Sequence, residues 1–118
     1  MLVALAVAGC GDDPKDAPAT DTGTTPSRLA VRVAELETGI TEYCEITSSG
    51  RVTAAQREQA VADVRELIAL TRRDPDAMVN STATVRDALV EVSTVLSADC
   101  RDPRLQRRVD RALDSLRQ

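Results

Sequence analysis

The sequence predicts an all-α fold, a small up-down-up-down four-helix bundle with a disordered N-terminal tether. From residue 26 onward, apolar residues recur every three or four positions, which is the spacing of one face of a helix. Capping and stop signals divide this region into four segments joined by short connections, as in a helical bundle. The apolar residues are mainly Ala, Val and Leu, and Tyr43 is the single aromatic residue, so the core must be narrow and built from small side chains.

Helix 1 is predicted over residues 26–46. Thr25 can cap its start, and Pro26 suits the first helical position, where a missing N–H costs nothing. Gly50 follows the last apolar residue and is a natural C-terminal stop. Gly39 lies inside the helix, where glycine costs about 1 kcal/mol relative to alanine, so we expect a neighbouring helix to approach closely there. The apolar face of the helix comprises Leu29, Val33, Leu36, Ile40, Tyr43 and Thr47.

Helix 2 has the clearest boundaries. Thr53 and Gln56 have the spacing of a capping box, in which each side chain accepts a hydrogen bond from the backbone N–H of the other residue. The helix is expected to end at Arg73, because a residue before proline is pushed out of helical geometry and Asp74-Pro75 follows. Its apolar stripe comprises Ala60, Val61, Val64, Leu67, Ile68 and Thr71.

Helix 3 is predicted over residues 75–98 with Asp74 as its cap. A later start with Asn80 as the cap stays open, because β-branched residues weaken the first half of this segment. Its stripe comprises Met78, Thr82, Val85, Leu89, Val92 and Leu96. Helix 4 is signalled by Asp102 as cap and Pro103 at the first position, and it runs to the C-terminus. Its face comprises Leu105, Val109, Ala112, Leu113 and Leu116.

The segment Leu5-Ala6-Val7-Ala8-Gly9-Cys10 closes an apolar N-terminal run with an aliphatic residue, two small residues and a cysteine. This pattern resembles the lipobox of bacterial lipoproteins, the signal at which a leader is cleaved and the cysteine is lipidated. The resemblance covers residues 1–10 and implies that residues 1–9 are a signal-peptide remnant. It also implies that Cys10 carries lipid, such as palmitate, and that the rest of the chain lies outside the cytoplasm, at the cell membrane or outer envelope.

Residues 10–25 are predicted to be a flexible linker that joins the lipid anchor to the domain. They hold many Pro, Asp and Thr residues and almost no apolar side chains. Such a composition cannot offset the entropy cost of ordering, so we expect disorder. As a flexible coil the linker would span roughly 20 Å. Residues 26–118 then form one small helical bundle domain.

The sequence contains three cysteines. In an exported protein, lipidation of Cys10 leaves Cys44 and Cys100 as a pair. Helices 1 and 3 run in the same direction in an up-down-up-down bundle, so their C-terminal ends, which carry this pair, should meet. We therefore expect a disulfide that staples a thin core. A cytosolic protein with a misread gene start is the alternative, and it would show two free thiols.

The composition argues against catalysis, metal binding and nucleic-acid binding. General acid–base and nucleophilic catalysis rely mostly on His, Lys, Cys or Ser beside an oriented base, yet His is absent and the single lysine, Lys15, lies in the linker. Zinc sites need Cys and His clusters, and di-iron bundles need Glu-x-x-His motifs. The net charge is −4, and no aromatic platform exists on which bases could stack. We expect no enzymatic activity, no cofactor, no metal and no nucleic-acid partner.

Helix 4 separates its charges. Asp110 and Asp114 fall on one flank of its apolar stripe, and four arginines fall on the other. Such a ridge is a candidate for binding anionic lipid head groups. The alternative, which we favour from the sequence, is that helix 4 lies beside helix 1 and that the ridge pairs with Glu35 and Glu42, for little net stabilisation. The arginine ridge comprises Arg104, Arg107, Arg108 and Arg111.

Together these patterns predict a small non-enzymatic envelope lipoprotein. It would display a disulfide-stapled helical bundle for protein binding or scaffolding at the membrane surface. The expected partners are the membrane, through the lipid anchor, and another envelope protein. The alternative is a ligand-binding or sensing module with a pocket between helices, which an internal apolar cavity of a few hundred Å³ would favour.

Overall fold

The computed structural model describes residues 27–117, and the chain forms four α-helices and no β-strand within this range. The predicted all-α four-helix bundle is therefore confirmed for this part of the chain. Cys10 and the predicted linker at residues 10–25 lie outside the described residues. The helices are α1 (Arg28–Ser49), α2 (Ala54–Arg73), α3 (Val85–Asp99) and α4 (Pro103–Leu116).

Helix α1 begins two residues later than predicted, because Ser27 is its N-cap. The Ser27 hydroxyl accepts a hydrogen bond from the Ala30 N–H at 3.0 Å, as expected of a good capping residue. At the other end, Gly50 has a φ of 77° and donates its N–H to the Thr47 carbonyl. This left-handed geometry favours glycine, which carries no Cβ to clash, and it confirms Gly50 as the stop.

The ends of α2 and the start of α4 are confirmed. Both bonds of the predicted capping box are present, from the Thr53 N–H to Gln56 Oε1 at 2.9 Å and from the Gln56 N–H to Thr53 Oγ1 at 3.1 Å. Asp102 caps α4 by accepting the Leu105 N–H at 3.2 Å, and Pro103 is the first helical residue. These short-range signals act within one turn of helix, so the local sequence is sufficient to specify them.

Helix α3 begins at Val85, ten residues later than predicted, so both expected starts are wrong. Thr84 and Asp87 form a capping box at this point, with bonds of 2.9 and 3.2 Å. The preceding residues form a loop that an isolated β-bridge between Met78 and Thr84 closes, and the Asn80 side chain accepts the Thr82 N–H at 2.8 Å within it. Short polar side chains compete in this way with helical hydrogen bonding. Met78, expected on the buried stripe, is consequently 52% exposed.

The helices alternate in direction, as predicted. Arg32, early in α1, contacts Glu66, late in α2, so these helices are antiparallel. The Ser48 hydroxyl at the end of α1 bonds the Asp99 carbonyl at the end of α3 at 3.2 Å, so α1 and α3 run in parallel. The short connection at residues 100–102 then returns the chain antiparallel in α4.

The neighbours around the bundle differ from the expected order. Helix α1 packs against α2 and α3, and α4 packs against the same two helices, while the backbones of α1 and α4 do not approach each other closely. The expectation that the arginine ridge pairs with Glu35 and Glu42 of α1 is therefore wrong. The disulfide between Cys44 and Cys100 lies at the contact between α1 and α3 and holds the ends of these helices side by side.

All four helices contribute to one aliphatic core. Ile40, Leu67, Leu89 and Val109 are completely buried, one from each helix. The close approach expected at Gly39 is present, since a Cβ at this position would lie 2.6 Å from Asp63 Oδ2 of α2. Glycine therefore makes room for a buried carboxylate, whose other oxygen accepts a hydrogen bond from the Gln59 side chain at 2.9 Å.

Candidate functional site

The predicted cysteine pair is joined at one end of the bundle. The Cys44–Cys100 disulfide links the last turns of α1 to the residue that caps the end of α3. Thr47 supports it from the next turn, since its hydroxyl donates to the Cys44 carbonyl at 2.6 Å and accepts the Arg101 N–H at 3.1 Å. The bond and its neighbours therefore tie α1, α3 and the start of α4 together.

Tyr43 adds a polar link at the same end, which the sequence patterns did not reveal. Its hydroxyl donates to Asp102 Oδ2 at 2.6 Å, while the other oxygen of Asp102 caps α4. Burial, and then the neighbouring carboxylate, raises the pKa of Tyr43. The protonated Tyr43 hydroxyl therefore links α1 to the residue that caps α4.

The arginine ridge divides between two grooves. Arg104 lines a groove at the disulfide end that also contains Arg57, Arg101 and Asp102. Arg108 and Arg111 line a different groove, between α2 and α4, and Arg107 is exposed on the outer side of α4. Two of the four predicted residues, Arg108 and Arg111, therefore share a groove with residues of α2.

The α2–α4 groove brings together arginines from two helices. Its volume is about 250 Å³, and Ile68, Ala69 and Ala112 line it between the charged side chains. None of its arginines forms an ion pair with another residue in the described range 27–117. We call this site the four-arginine groove, and its charged members are Arg65, Arg72, Arg108 and Arg111.

Sequence reasoning missed the α2 half of the four-arginine groove. Arg65 and Arg72 lie seven residues apart, so they share one face of α2, and Arg108 and Arg111 lie one turn apart on α4. The predicted up-down-up-down order places α2 and α4 in the same direction. Only the observed contact between these two helices shows that the two pairs face each other.

The grooves on the α1 side of the bundle are lined by apolar and acidic residues. A groove of about 660 Å³ follows the outer face of α1 and is largely apolar, with Val31, Ala34 and Val79 among its lining residues and Glu35 and Glu42 beside them. A second groove, of about 420 Å³, separates α1 from α3 and holds Glu37 and Glu91. Acidic residues therefore line the α1 side, and basic residues the α2–α4 side.

Glu37, which lines the groove between α1 and α3, has a strongly raised pKa. Partial burial, and then the adjacent carboxylate of Glu91, raises its pKa from 4.5 to about 7. Desolvation and a like charge both disfavour the ionised form. The two glutamates thus share a proton-dependent interaction across the contact between α1 and α3.

Glu37→Gln is expected to flatten the pH dependence of stability. Between pH 4.5 and about 7, the folded chain retains a proton on Glu37 that the unfolded chain has released. Stability is therefore fully present below pH 4.5 and decreases as the pH rises through this window. Denaturant unfolding at a series of pH values measures the slope. Glu58→Gln, at an exposed position of α2, should retain it, and a Glu37→Gln curve that follows the wild type would contradict the assignment.

Within residues 27–117, no helix is long and apolar enough to cross a bilayer. In the same range, no three or more Cys, Asp or Glu side chains lie close enough together to hold a metal ion. No protein-family model, curated protein or solved structure matches the chain.

Proposed function

We propose that this chain is a small, non-enzymatic, lipid-anchored protein of the cell envelope. It displays its helical bundle at the membrane surface for protein binding or scaffolding. Lipid at Cys10 holds the protein at the bilayer, and the linker gives the bundle its reach. The membrane is one partner, and an envelope protein is the other.

The Cys44–Cys100 disulfide is the observation that supports this proposal most. Disulfides persist in oxidising, extracytoplasmic compartments and are rare in the cytosol. The bond joins elements that the fold brings together at one end of the bundle, so it acts as a structural staple and not as a reactive pair. With both of these cysteines joined, Cys10 is the thiol that remains for lipid attachment.

The filled core favours a displayed scaffold over a pocket within the bundle. Side chains such as Leu36, Val64 and Leu96 fill the space between the helices and are at most 1% exposed. The grooves described above lie on the surface and open to solvent. A sensing module would need an interior cavity to enclose an apolar ligand, whereas this bundle offers its outer faces.

Metabolic labelling tests the anchor. Cells that express the protein are fed an alkyne-tagged palmitate, and the purified protein is examined for label. The wild type is expected to carry the label, and Cys10→Ser is expected to carry none. Cys44→Ala/Cys100→Ala is the matched control, because it removes two cysteines and leaves Cys10 in place, so it should be labelled as fully as the wild type.

Equal labelling of the wild type and Cys10→Ser would contradict the proposal, as would label lost only from the Cys44→Ala/Cys100→Ala variant. The binding role is tested separately, by a photoreactive residue placed at Thr38 on the outer face of α1. A discrete adduct that forms with the anchored protein and disappears with Cys10→Ser supports display at the membrane. An adduct that forms equally with both variants contradicts it.

A further inference from the structure

The four-arginine groove concentrates positive charge that the rest of the chain does not explain. The net charge of the sequence is −4, so acidic residues outnumber basic residues over the whole chain. Two arginines of α2 and two of α4 nevertheless line a space of about 250 Å³. Like charges that line one groove repel one another, and an anion bound between them would reduce the repulsion.

The nearby acidic residues are engaged elsewhere. Glu66 of α2 pairs with Arg32 of α1, and Asp63 faces Gly39 of α1. On α4, Asp110 accepts a hydrogen bond from Ser93 at 2.9 Å, and Asp114 pairs with Arg117. These carboxylates therefore point to other partners, and none of them lines the groove.

The lining indicates the size and chemistry of the anion. Ala69 and Ala112 are small, so a compact group can approach the helices between the charged side chains. Guanidinium groups present planar pairs of N–H donors that match the oxygens of a phosphate. A volume of about 250 Å³ accommodates one phosphate group with bound water and is small for a peptide helix. We propose that the four-arginine groove is a binding site for a phosphate group.

The four-arginine groove lies near the end of the bundle at which the chain enters α1. The proposed phosphate binding does not require the lipid anchor. Arg72 lies in the last turn of α2, and Arg111 lies in the second half of α4. These ends of α2 and α4 share one end of the bundle with Ser27, where the chain enters α1, because the helices alternate in direction. Lipid head groups are therefore one source of the phosphate, and soluble phosphate is the other.

Two binding measurements on the full chain carrying Cys10→Ser, with its disulfide intact, test the proposal. Inorganic phosphate is titrated at low salt while the arginine side-chain N–H signals are followed by NMR. Co-sedimentation is measured with phosphatidylcholine vesicles that do or do not contain phosphatidylglycerol. Arg65→Gln/Arg108→Gln removes one charge from each wall of the groove and is expected to weaken binding by about tenfold or more.

Arg28→Gln/Arg51→Gln is the charge-matched control, since both residues are exposed and lie outside the groove. It should change binding by less than about twofold, because screened distant charges contribute little. Arg65→Lys/Arg108→Lys retains the charge of the groove but loses the paired N–H donors. It should therefore bind phosphate more weakly than the wild type does. Thermal unfolding without ligand confirms that the variants are folded, and added phosphate should raise the Tm of the wild type more than that of the groove variant.

The two measurements distinguish the source of the phosphate. Groove-dependent binding of free phosphate alone supports a soluble ligand, and groove-dependent binding of the anionic vesicles supports lipid head groups. Equal losses in the groove variant and the charge-matched control would overturn the proposal, because they would indicate general electrostatics. Absence of binding in both measurements at low salt would overturn it as well. Neither result bears on labelling at Cys10, so the lipid-anchor proposal stands or falls separately.

Discussion

Replacement of both joined cysteines, in Cys44→Ala/Cys100→Ala, is expected to lower the free energy of unfolding by about 4 kcal/mol. The bond links residues that are 56 positions apart, so its loss frees a long loop in the unfolded chain. Domains of this size have total stabilities of about 5–15 kcal/mol. The disulfide therefore supplies a large share of the stability of a bundle whose core is almost wholly aliphatic.

Urea unfolding of the oxidised wild type and the double variant measures this effect. The variant should also show a larger dependence of the unfolding free energy on denaturant, because an unfolded chain without the crosslink exposes more surface. The reduced wild type is the control and should behave like the variant. A loss of less than about 1 kcal/mol would mean that the disulfide constrains the unfolded chain far less than chain entropy predicts.

Leu89→Ala is expected to destabilise the bundle by about 3 kcal/mol, because it leaves a cavity in a core that cannot fully collapse. Leu89 is completely buried on α3, whereas the adjacent Val90 is 47% exposed. Val90→Ala is therefore the matched control and should change the stability by less than about 0.5 kcal/mol. Denaturant unfolding of the two variants compares neighbouring positions on the same helix.

The contrast between these neighbours tests the orientation of α3 in the bundle. Its capping box at Thr84 and Asp87 sets where the helix starts, and the core contacts set which side faces inward. If Val90→Ala cost as much as Leu89→Ala, the inward face of α3 would have to be different from the one described.

The sequence predicted the features that depend on neighbouring residues. The capping box at Thr53 and the cap at Asp102 each act within one turn, so their signals are complete in the local sequence. The apolar stripes likewise identified most of the core, because burial follows helical periodicity. In the described part of the chain, the four predicted helices and their alternating directions are confirmed.

The features that the sequence did not predict depend on local turns that compete with helix formation, or on contacts between residues distant in the sequence. The start of α3 was misplaced because Asn80 and Thr82 form a local turn that competes with the helix. The order of helices around the bundle was misplaced because the disulfide and side-chain packing decide which helices touch. The α2 wall of the four-arginine groove was missed for the same reason, since Arg65 approaches Arg108 only when α2 lies beside α4.

Intact-protein mass measurement of the protein extracted from membranes under non-reducing conditions tests the central proposal most directly. Lipid anchoring predicts a chain that starts at Cys10, carries the added mass of fatty acyl groups, and is lighter by two hydrogens because Cys44 and Cys100 are joined. A chain that retains residues 1–9, with an unmodified Cys10, would contradict the proposed location and function.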